Sequence, residues 1–289
     1  MDDLAKKQKS RSPFRRNLRK ALKNPQFIVG LAIVGFFAFI AIFAPLLAPY
    51  DPLDAIIVRR LEGFSREHLL GTDNLGRDVL SRLMYGARMS LLFGILAMSM
   101  GAIVGIILGM VSGYFGGFID TIIMRIVDIL MAFPGLLLAL GIVAVLGRST
   151  GNVIIAVAIG GIPGFARIVR GSTLAVRKLE YIDAIRAIGA GNTRIIFRHV
   201  FPNILSPIIV QATLNVGAAV VASAALAFLG VGTPPPTPEW GIMLNNGREF
   251  MLVAPRLVIL PGLMIFLLVI GINLFGNGLR DALEPKNRM

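Results

Sequence analysis

Residues 89–119 read MSLLFGILAMSMGAIVGIILGMVSGYFGGFI, a run of 31 positions without a single charged side chain. A hydrocarbon core of about 30 Å is crossed by about 20 apolar helical residues. A helix at the edge of a soluble core would instead carry polar residues every third or fourth position along its wet face. The run therefore predicts a helix that crosses a membrane.

The same pattern recurs along the chain of 289 residues, which is 55% hydrophobic and only 16% charged. A soluble domain usually carries about 25% charged residues. Six spans are predicted, at Phe27–Leu47, Leu91–Val111, Arg125–Leu146, Asn152–Ala166, Ile204–Leu229 and Leu257–Phe275. The predicted fold class is therefore all-α, a polytopic membrane protein with six transmembrane helices.

The charge distribution predicts the orientation. The net charge is +13, of which residues 1–26 carry +7 and residues 167–203 carry +5. Basic loops face the cytoplasm under the positive-inside rule, so a basic tail at 1–26 and both termini are expected there. The segment 48–88 after the first span, 27–47, is neutral and is expected outside, ahead of a five-helix core at 89–289. This arrangement argues against nucleic-acid binding, because the two basic blocks are separated by apolar spans, as cytoplasmic loops of a membrane protein are.

Several classes of function are excluded by what the sequence lacks. There is no cysteine, and the two histidines, His68 and His199, lie far apart without metal-ligand spacing. No phosphate-binding loop, nucleophilic triad or paired-carboxylate cleft is present. We therefore expect no enzyme, no metal site and no bound cofactor in this chain.

Four glycines repeat every fourth position in the second span, at Gly101, Gly105, Gly109 and Gly113. Residues spaced in this way lie along one slowly winding face of a helix. Without side chains, that face lets the backbone of a neighbouring helix approach closely. We interpret the row as a site of helix packing.

Polar side chains within the spans allow two interpretations. Gln211 and Asn215 lie one turn apart in the fifth span, where they either line a solute path or form hydrogen bonds between helices. Arg125 and Asp128 are three apart in the third span and can pair. If Asp128 relays protons, the chain would be an ion-coupled secondary transporter. The alternative is an interfacial ion pair.

The loop before the fifth span reads EYIDAIRAIG, AGN and TRIIFRHVFPN, residues 180–203. Apolar residues at 181, 182, 185 and 188 share one side of a short helix, and charged residues at 180, 183 and 186 share another. Gly189 and Gly191 are expected to end that helix, and Asn192 or Thr193 to cap the next. A small helical loop of this kind cannot bury its own apolar side, so we expect it to dock on a partner.

Two motifs resemble those of one transporter family. Asp183, Ala184, Ile185, Gly189 and Pro202 occupy the places of the EAA motif of ABC importer permeases, with Asp in place of the usual Glu. Residues 68–82, HLLGTDNLGRDVLSR, resemble the hallmark of the C-type permease of dipeptide, oligopeptide and nickel importers. MAFP at 131–134 and PEWG at 238–241 are further similarities.

The resemblance implies a type I ABC importer permease fold in a bacterial or archaeal inner membrane. It implies a B-type permease as partner, two ATPase subunits that bind ATP and Mg, and an external solute-binding protein, with a peptide or similar small solute as cargo. Membrane lipids surround the spans. Within the coupling loop, residues 171–203, the residues implied to contact the ATPase are Glu180, Tyr181, Asp183, Ala184, Arg186, Gly189, Arg198 and Pro202.

The external segment is expected to contain an amphipathic helix. In the stretch Gly71–Tyr85, Val79, Leu80, Leu83 and Met84 share one face, and Asp78 and Arg82 are spaced to pair. We interpret it as a helix lying at the membrane interface.

Overall fold

The computed structural model describes residues 20–283, so most of the basic tail at 1–26 lies outside the described residues. The first five helices are α1 (Pro25–Leu47), α2 (Val79–Phe115), α3 (Gly117–Ala132), α4 (Gly135–Leu146) and α5 (Thr150–Arg177). They are followed by α6 (Glu180–Ala187), α7 (Asn192–Ile195), a π-helical segment (Ile196–Val200), α8 (Phe201–Phe228), α9 (Trp240–Gly247) and α10 (Arg256–Leu283). The described residues contain one isolated β-bridge and no strand, which confirms the all-α fold class.

Within the described residues, five helices are long and apolar enough to span a membrane without a break. They match five of the six predicted spans; all five begin before the predicted start, and three of them run past the predicted end. The predicted fourth span ends at Ala166, whereas α5 continues to Arg177. Pro163 is buried inside α5 without ending it. The extension brings the end of this helix directly to the coupling loop.

The third span is not the single straight helix predicted at Arg125–Leu146. It consists of α3 and α4, which meet at 93° around Phe133 and Pro134. A proline disfavours helical geometry in the residue before it, and Phe133 is extended (ψ 135°). The MAFP sequence, which carries part of the family resemblance, therefore also marks a break in the helix.

The bent pair nevertheless carries the chain across the membrane. At its beginning, Asp120 forms an ion pair with Arg170, near the C-terminal end of α5. At its end, the carbonyl of Leu146 accepts a hydrogen bond from Asn152, in the first turn of α5. Because α5 has 28 residues and rises about 1.5 Å per residue, these two points lie on opposite sides of the membrane. The six-span topology follows.

The glycine row of α2 packs against α5, as predicted. A Cβ atom on Gly101 would lie 2.7 Å from the Ala158 carbonyl oxygen, and one on Gly109 would lie 2.6 Å from that of Ala166. Gly105 and Gly113 make equally close approaches to the same helix. We call this contact the α2–α5 seam. It has no room for any side chain at these four positions.

The predicted interfacial helix at Gly71–Tyr85 is not a separate element. A helix begins only at Val79 and continues as the second span, with Val79 and Leu83 buried in the core. Asp78 does not pair with Arg82. It accepts from the Ser81 amide at the helix N-terminus and lies 2.9 Å from Nδ1 of buried His68.

Arg82 is directed elsewhere. Its guanidinium donates to the Pro52 carbonyl (2.8 Å) and lies 3.4 Å from the Asp73 carboxylate. These groups form a buried polar cluster that fastens residues 52–78 onto the start of α2. The charged side chains of Asp73, Asp78 and Arg82 are therefore buried in contacts within the protein.

Candidate coupling surface and translocation path

The coupling loop begins with α6 and turns sharply at Gly189. This glycine has φ +88°, in the left-handed region where a Cβ atom is disfavoured. The amide of Gly189 donates to the Arg186 carbonyl (3.0 Å) and that of Ala190 to the Ile185 carbonyl (3.3 Å). Gly189 is therefore the helix stop that the sequence predicts, whereas the prediction that Gly191 also ends this helix is wrong.

The start of the next helix differs from the prediction. Gly191, at φ −68°, occupies the N-cap of α7 and no side chain caps the helix, so neither Asn192 nor Thr193 has that role. Asn192 instead accepts a hydrogen bond from the hydroxyl of Tyr114, at the end of α2 (2.9 Å). Its side chain is used to hold the loop against the second span.

The apolar side of the loop is divided between two uses. Ile182 and Ile195 are fully buried, in a cluster that includes Tyr114 of α2 and Val169 of α5. By contrast, Ile188 is 84% exposed and Phe197 is 63% exposed. The loop therefore seats itself on its own spans, and only part of its apolar side is available to a partner.

The polar residues implied by the resemblance surround this exposed part. Asp183 and Arg186 form an ion pair at 3.0 Å, and both are largely exposed. The other exposed residues of the set are Glu180, Tyr181, Ala184, Gly189, Arg198 and Pro202. All eight residues are thus exposed, and we call them, together with Ile188 and Phe197, the coupling surface.

Two cavities lie along one face of α8. The cavity farther from the coupling loop, which we call the outer cavity, has a volume of about 510 Å³ and is enclosed by α2, α4, α5 and α8. Its walls are almost wholly small or apolar, with Gly160, Gly161, Ala218 and Ala222 among them, and Asn215 is its polar side chain. A cavity of this size lies within the range of about 300–1,000 Å³ typical of sites for small molecules.

The inner cavity, of about 570 Å³, lies between α5, α8 and α10 near the coupling loop. Polar groups contribute more here, from Asn203, Ser206, Gln211 and Arg280. The sequence analysis singled out only Gln211. Asn203, Ser206 and Gln211 recur at helical spacing on α8, a periodicity that could have indicated the other two.

Gln211 and Asn215 mark the level between the two cavities. The side-chain amide nitrogen of Gln211 lies near Gly164 of α5; a Cβ atom added to Gly164 would be 3.5 Å from this nitrogen. Asn215 donates to the backbone carbonyl of Gln211 (2.9 Å), within its own helix. This placement at the cavity walls favours the path-lining interpretation of both residues.

Asp128 does not pair with Arg125. Its carboxylate lies 2.6 Å from the guanidinium of Arg167 on α5, and both side chains are about half exposed. A proton relay through the membrane requires a shielded carboxyl. The exposure of this pair favours a structural role, an ion pair between two helices.

A buried carboxyl that the sequence analysis did not select lies before α9. Glu239 is 1% exposed, and only one of its oxygens accepts a bond, from the Gly241 amide. Burial raises the pKa of this carboxyl to about 7, because the charged form loses its hydration. The adjacent Trp240 donates to the Leu83 carbonyl (2.9 Å), so this segment is fastened to the start of α2.

Two family descriptions match this chain. Residues 105–289 match the binding-protein-dependent transport system inner membrane component, and residues 12–62 match the N-terminal TM domain of oligopeptide transport permease C. A dipeptide transport system permease protein of Alkalihalophilus pseudofirmus is 50% identical, over 95% of this chain and 90% of the relative. A glutathione transport system permease protein of Pectobacterium atrosepticum is 46% identical, over 96% of this chain and 92% of the relative.

A solved structure supports the fold. An inward-facing methionine ABC transporter aligns with a TM-score of 0.58 at 20% sequence identity, over 71% of this chain and 98% of the other. A second crystal form of the same transporter gives 0.55 at 19% identity. At these identities the likeness concerns the arrangement of helices alone.

Proposed function

Because this chain belongs to the binding-protein-dependent transport system inner-membrane components, we propose that its coupling surface and two cavities form one half of an ATP-driven peptide import path. It is a permease subunit of an ABC importer and not an enzyme. The chemistry of ATP hydrolysis therefore belongs to separate ATPase subunits.

The proposal rests on the continuity of α5. This helix lines the outer cavity with Ala156, Val157 and Gly160, and its last residue, Arg177, is three residues before the first of α6. A rigid helix of 28 residues can transmit a displacement of the coupling loop to the cavity wall. Transport by rigid-body movement between two states requires such a connection.

The proposed partners are those that the family resemblance implies, and the surfaces of the chain suit them. The exposed Ile188 and Phe197, with charged side chains nearby, suit a cleft in one of two cytoplasmic ATPase subunits, which would bind ATP and Mg. A second, B-type permease would complete the path along the cavity face of α8. An external solute-binding protein would deliver the cargo, and membrane lipids would cover the remaining apolar faces.

The proposed cargo is a short peptide. The names of the two relatives refer to dipeptide and glutathione, which both contain peptide bonds. The cavities have space for molecules of this size, and the Gln211 and Asn215 carboxamides can exchange hydrogen bonds with peptide groups.

The test is ATP hydrolysis by the complex reconstituted from both permeases and the ATPase subunits. Binding protein loaded with glycyl-leucine or S-methylglutathione should stimulate hydrolysis and drive uptake of the peptide into a sealed compartment. Hydrolysis without any response to either loaded protein would contradict the assignment of peptide as cargo.

The orientation has its own test, because the chain contains no cysteine to give background labelling. Single cysteines at Arg60 and Arg248 should react with an impermeant thiol reagent in intact cells. Cysteines at Lys20 and Asn192 should react only after permeabilisation. Labelling at position 192 in intact cells would place the coupling surface outside and refute the proposed contact with ATPase subunits.

A further inference from the structure

The inner cavity and the coupling helix α6 share one side chain. Asn203 lines the cavity, and its amide nitrogen donates to the hydroxyl of Tyr181 (3.1 Å) and to the His199 carbonyl (2.6 Å). Tyr181 is the second residue of α6. A molecule that contacts Asn203 from within the cavity therefore contacts a group that holds α6 to α8.

The lining of the inner cavity fits one class of ligand. Asn203 and Gln211 are carboxamides, each with a donor and an acceptor that match a peptide group. Ser206 adds a hydroxyl, and Arg280 places a guanidinium, whose geometry suits a carboxylate, in the same lining. The remaining walls are apolar, from Ile168, Pro207, Val210, Leu214 and Leu283. Alternating amide, carboxylate and apolar groups are the chemistry of a short peptide.

We propose that the inner cavity binds a short peptide before its release to the cytoplasm, and that its occupancy is communicated to α6 through Asn203 and Tyr181. This inference rests on the proposed import of peptides. A peptide carbonyl in the cavity competes for the amide hydrogens that Asn203 now donates to Tyr181. Loss of that bond loosens α6 from α8, so peptide that accumulates in the cytoplasm slows ATP hydrolysis. The coupling between peptide binding and the Asn203–Tyr181 bond is reciprocal, so removal of this bond should strengthen peptide binding.

The first experiment measures occupancy. Ser206→Cys places the only thiol of this chain on the cavity wall. The complex is reconstituted in liposomes with its ATPase side outward and with binding protein and peptide sealed inside. Outside glycyl-leucine or S-methylglutathione should slow maleimide labelling of the thiol at position 206 several-fold, whereas free glycine should not.

The second experiment measures communication. In wild type, outside peptide should inhibit the stimulated ATP hydrolysis. Tyr181→Phe removes the hydroxyl that competes with peptide for the side-chain amide of Asn203. We combine it with Ser206→Cys and measure how much peptide protects the thiol from maleimide. The protecting concentration should fall by roughly 5-fold, which corresponds to the free energy of one hydrogen bond. The Tyr181→Phe change should also remove most of the inhibition by outside peptide.

A matched control is available in Tyr114→Phe. This variant also removes a phenol hydroxyl that bonds to the coupling loop, at Asn192, but Tyr114 does not line the inner cavity. It should keep both protection and inhibition at wild-type peptide concentrations.

The possible results separate the two proposals. If neither peptide stimulates hydrolysis through the binding protein, the proposed function fails and this inference fails with it. If stimulation is normal but neither peptide protects the thiol at position 206, the cavity is not a peptide site. If protection occurs but Tyr181→Phe and Tyr114→Phe behave alike, the communication through Asn203 is refuted.

Discussion

The α2–α5 seam and the coupling surface lie close together along the chain, because α6 begins three residues after α5 ends, yet they pack in opposite ways. Along the seam, Gly105 and Gly109 bring backbone against backbone with no space for a Cβ atom. At the coupling surface, Ile188 and Phe197 remain mostly exposed. Close packing resists displacement of one helix against the other, whereas an exposed apolar patch can bind a partner. From this comparison we expect α2 and α5 to move as one body and movement to enter at α6.

The largest effect is expected from filling the seam. Gly105→Leu would place a side chain 2.5 Å from Cβ of Phe165, and Gly109→Leu would place one against the Ala166 backbone. Overpacking costs about 1–3 kcal/mol or more where backbone must move. We expect the assembled complex to be lost, as measured by its yield on size-exclusion chromatography.

Gly35→Leu is the matched control, because an added Cβ at this position in α1 meets nothing within 4 Å. It should assemble normally. Normal yield from Gly105→Leu as well would mean that the seam is not the rigid unit described above.

The second prediction concerns the coupling surface. Gly189→Val must force a β-branched residue into the left-handed region, at a cost of about 1–2 kcal/mol. Asp183→Lys reverses a charge that faces the partner. Both variants should insert and assemble, but stimulation of ATP hydrolysis by the loaded binding protein should disappear. Asp183→Ala should be milder, because it removes an attraction without adding a repulsion.

Gly191→Val is the control for backbone conformation. Gly191 is two residues away and also has no atom within 4 Å of an added Cβ, but its φ is −68°. It should keep most of the stimulation. If both severe variants remain fully stimulated in the same assay, the coupling surface does not transmit movement. A pull-down of the ATPase subunits separates lost docking from lost transmission.

The sequence predicts the features that depend on local chemistry. Runs of apolar residues are long enough to identify five spans, and a row of four glycines identifies the seam because spacing alone sets its face. Gly189 is predicted to end a helix for the same reason, since its conformational freedom is its own property. None of these predictions requires knowledge of a distant residue.

The errors concern partners that only the tertiary structure brings together. Helical spacing pairs Asp128 with Arg125, but its partner is Arg167, 39 residues away in sequence. Spacing likewise pairs Asp78 with Arg82, whereas His68 lies against it. Spacing shows which side chains can meet on one helix, and it says nothing about competing charges on neighbouring helices.

The cavity at the coupling loop escapes sequence analysis for a related reason. Asn203 and Ser206 are, by sequence, ordinary polar residues at the start of a span. Their importance comes from α10, whose Arg280 and Leu283 enclose the same space. A cavity is a property of several elements, and no periodicity along one of them predicts its volume.

The third prediction asks whether the rigid body extends to the end of the helices remote from the coupling loop, where Glu239 is buried. The pKa of this carboxyl is raised to about 7, above an ordinary value of 4.5. Between pH 4.5 and about pH 7, the unfolded chain has released the proton that the folded chain retains. The free energy of unfolding therefore falls as pH rises through this range. The slope from this group is at most about 1.4 kcal/mol per pH unit.

Thermal unfolding of the purified complex between pH 5 and pH 8 measures this slope. Glu239→Gln keeps an oxygen to accept from the Gly241 amide but cannot ionise, so its stability should change less with pH. A wild-type slope equal to that of Glu239→Gln would show that this segment opens to water and is not part of the rigid body.

The smallest expected effect is a difference in coupling energy between two ion pairs that join α3 to α5. Two guanidinium nitrogens of Arg170 donate to the Asp120 carboxylate at 2.6 Å, and Ser112 of α2 donates to the same carboxylate. The Asp120 side chain is 19% exposed. The pair of Asp128 and Arg167 is about half exposed.

A double-mutant cycle with Asp120→Asn and Arg170→Gln should give a coupling energy of about 1–2 kcal/mol, because a bidentate, shielded ion pair is stronger than an exposed one. The same cycle on Asp128 and Arg167 should give less than about 0.5 kcal/mol. Since Asp120 joins three helices, a coupling energy below about 0.5 kcal/mol for this pair as well would mean that α3 is held by apolar packing alone.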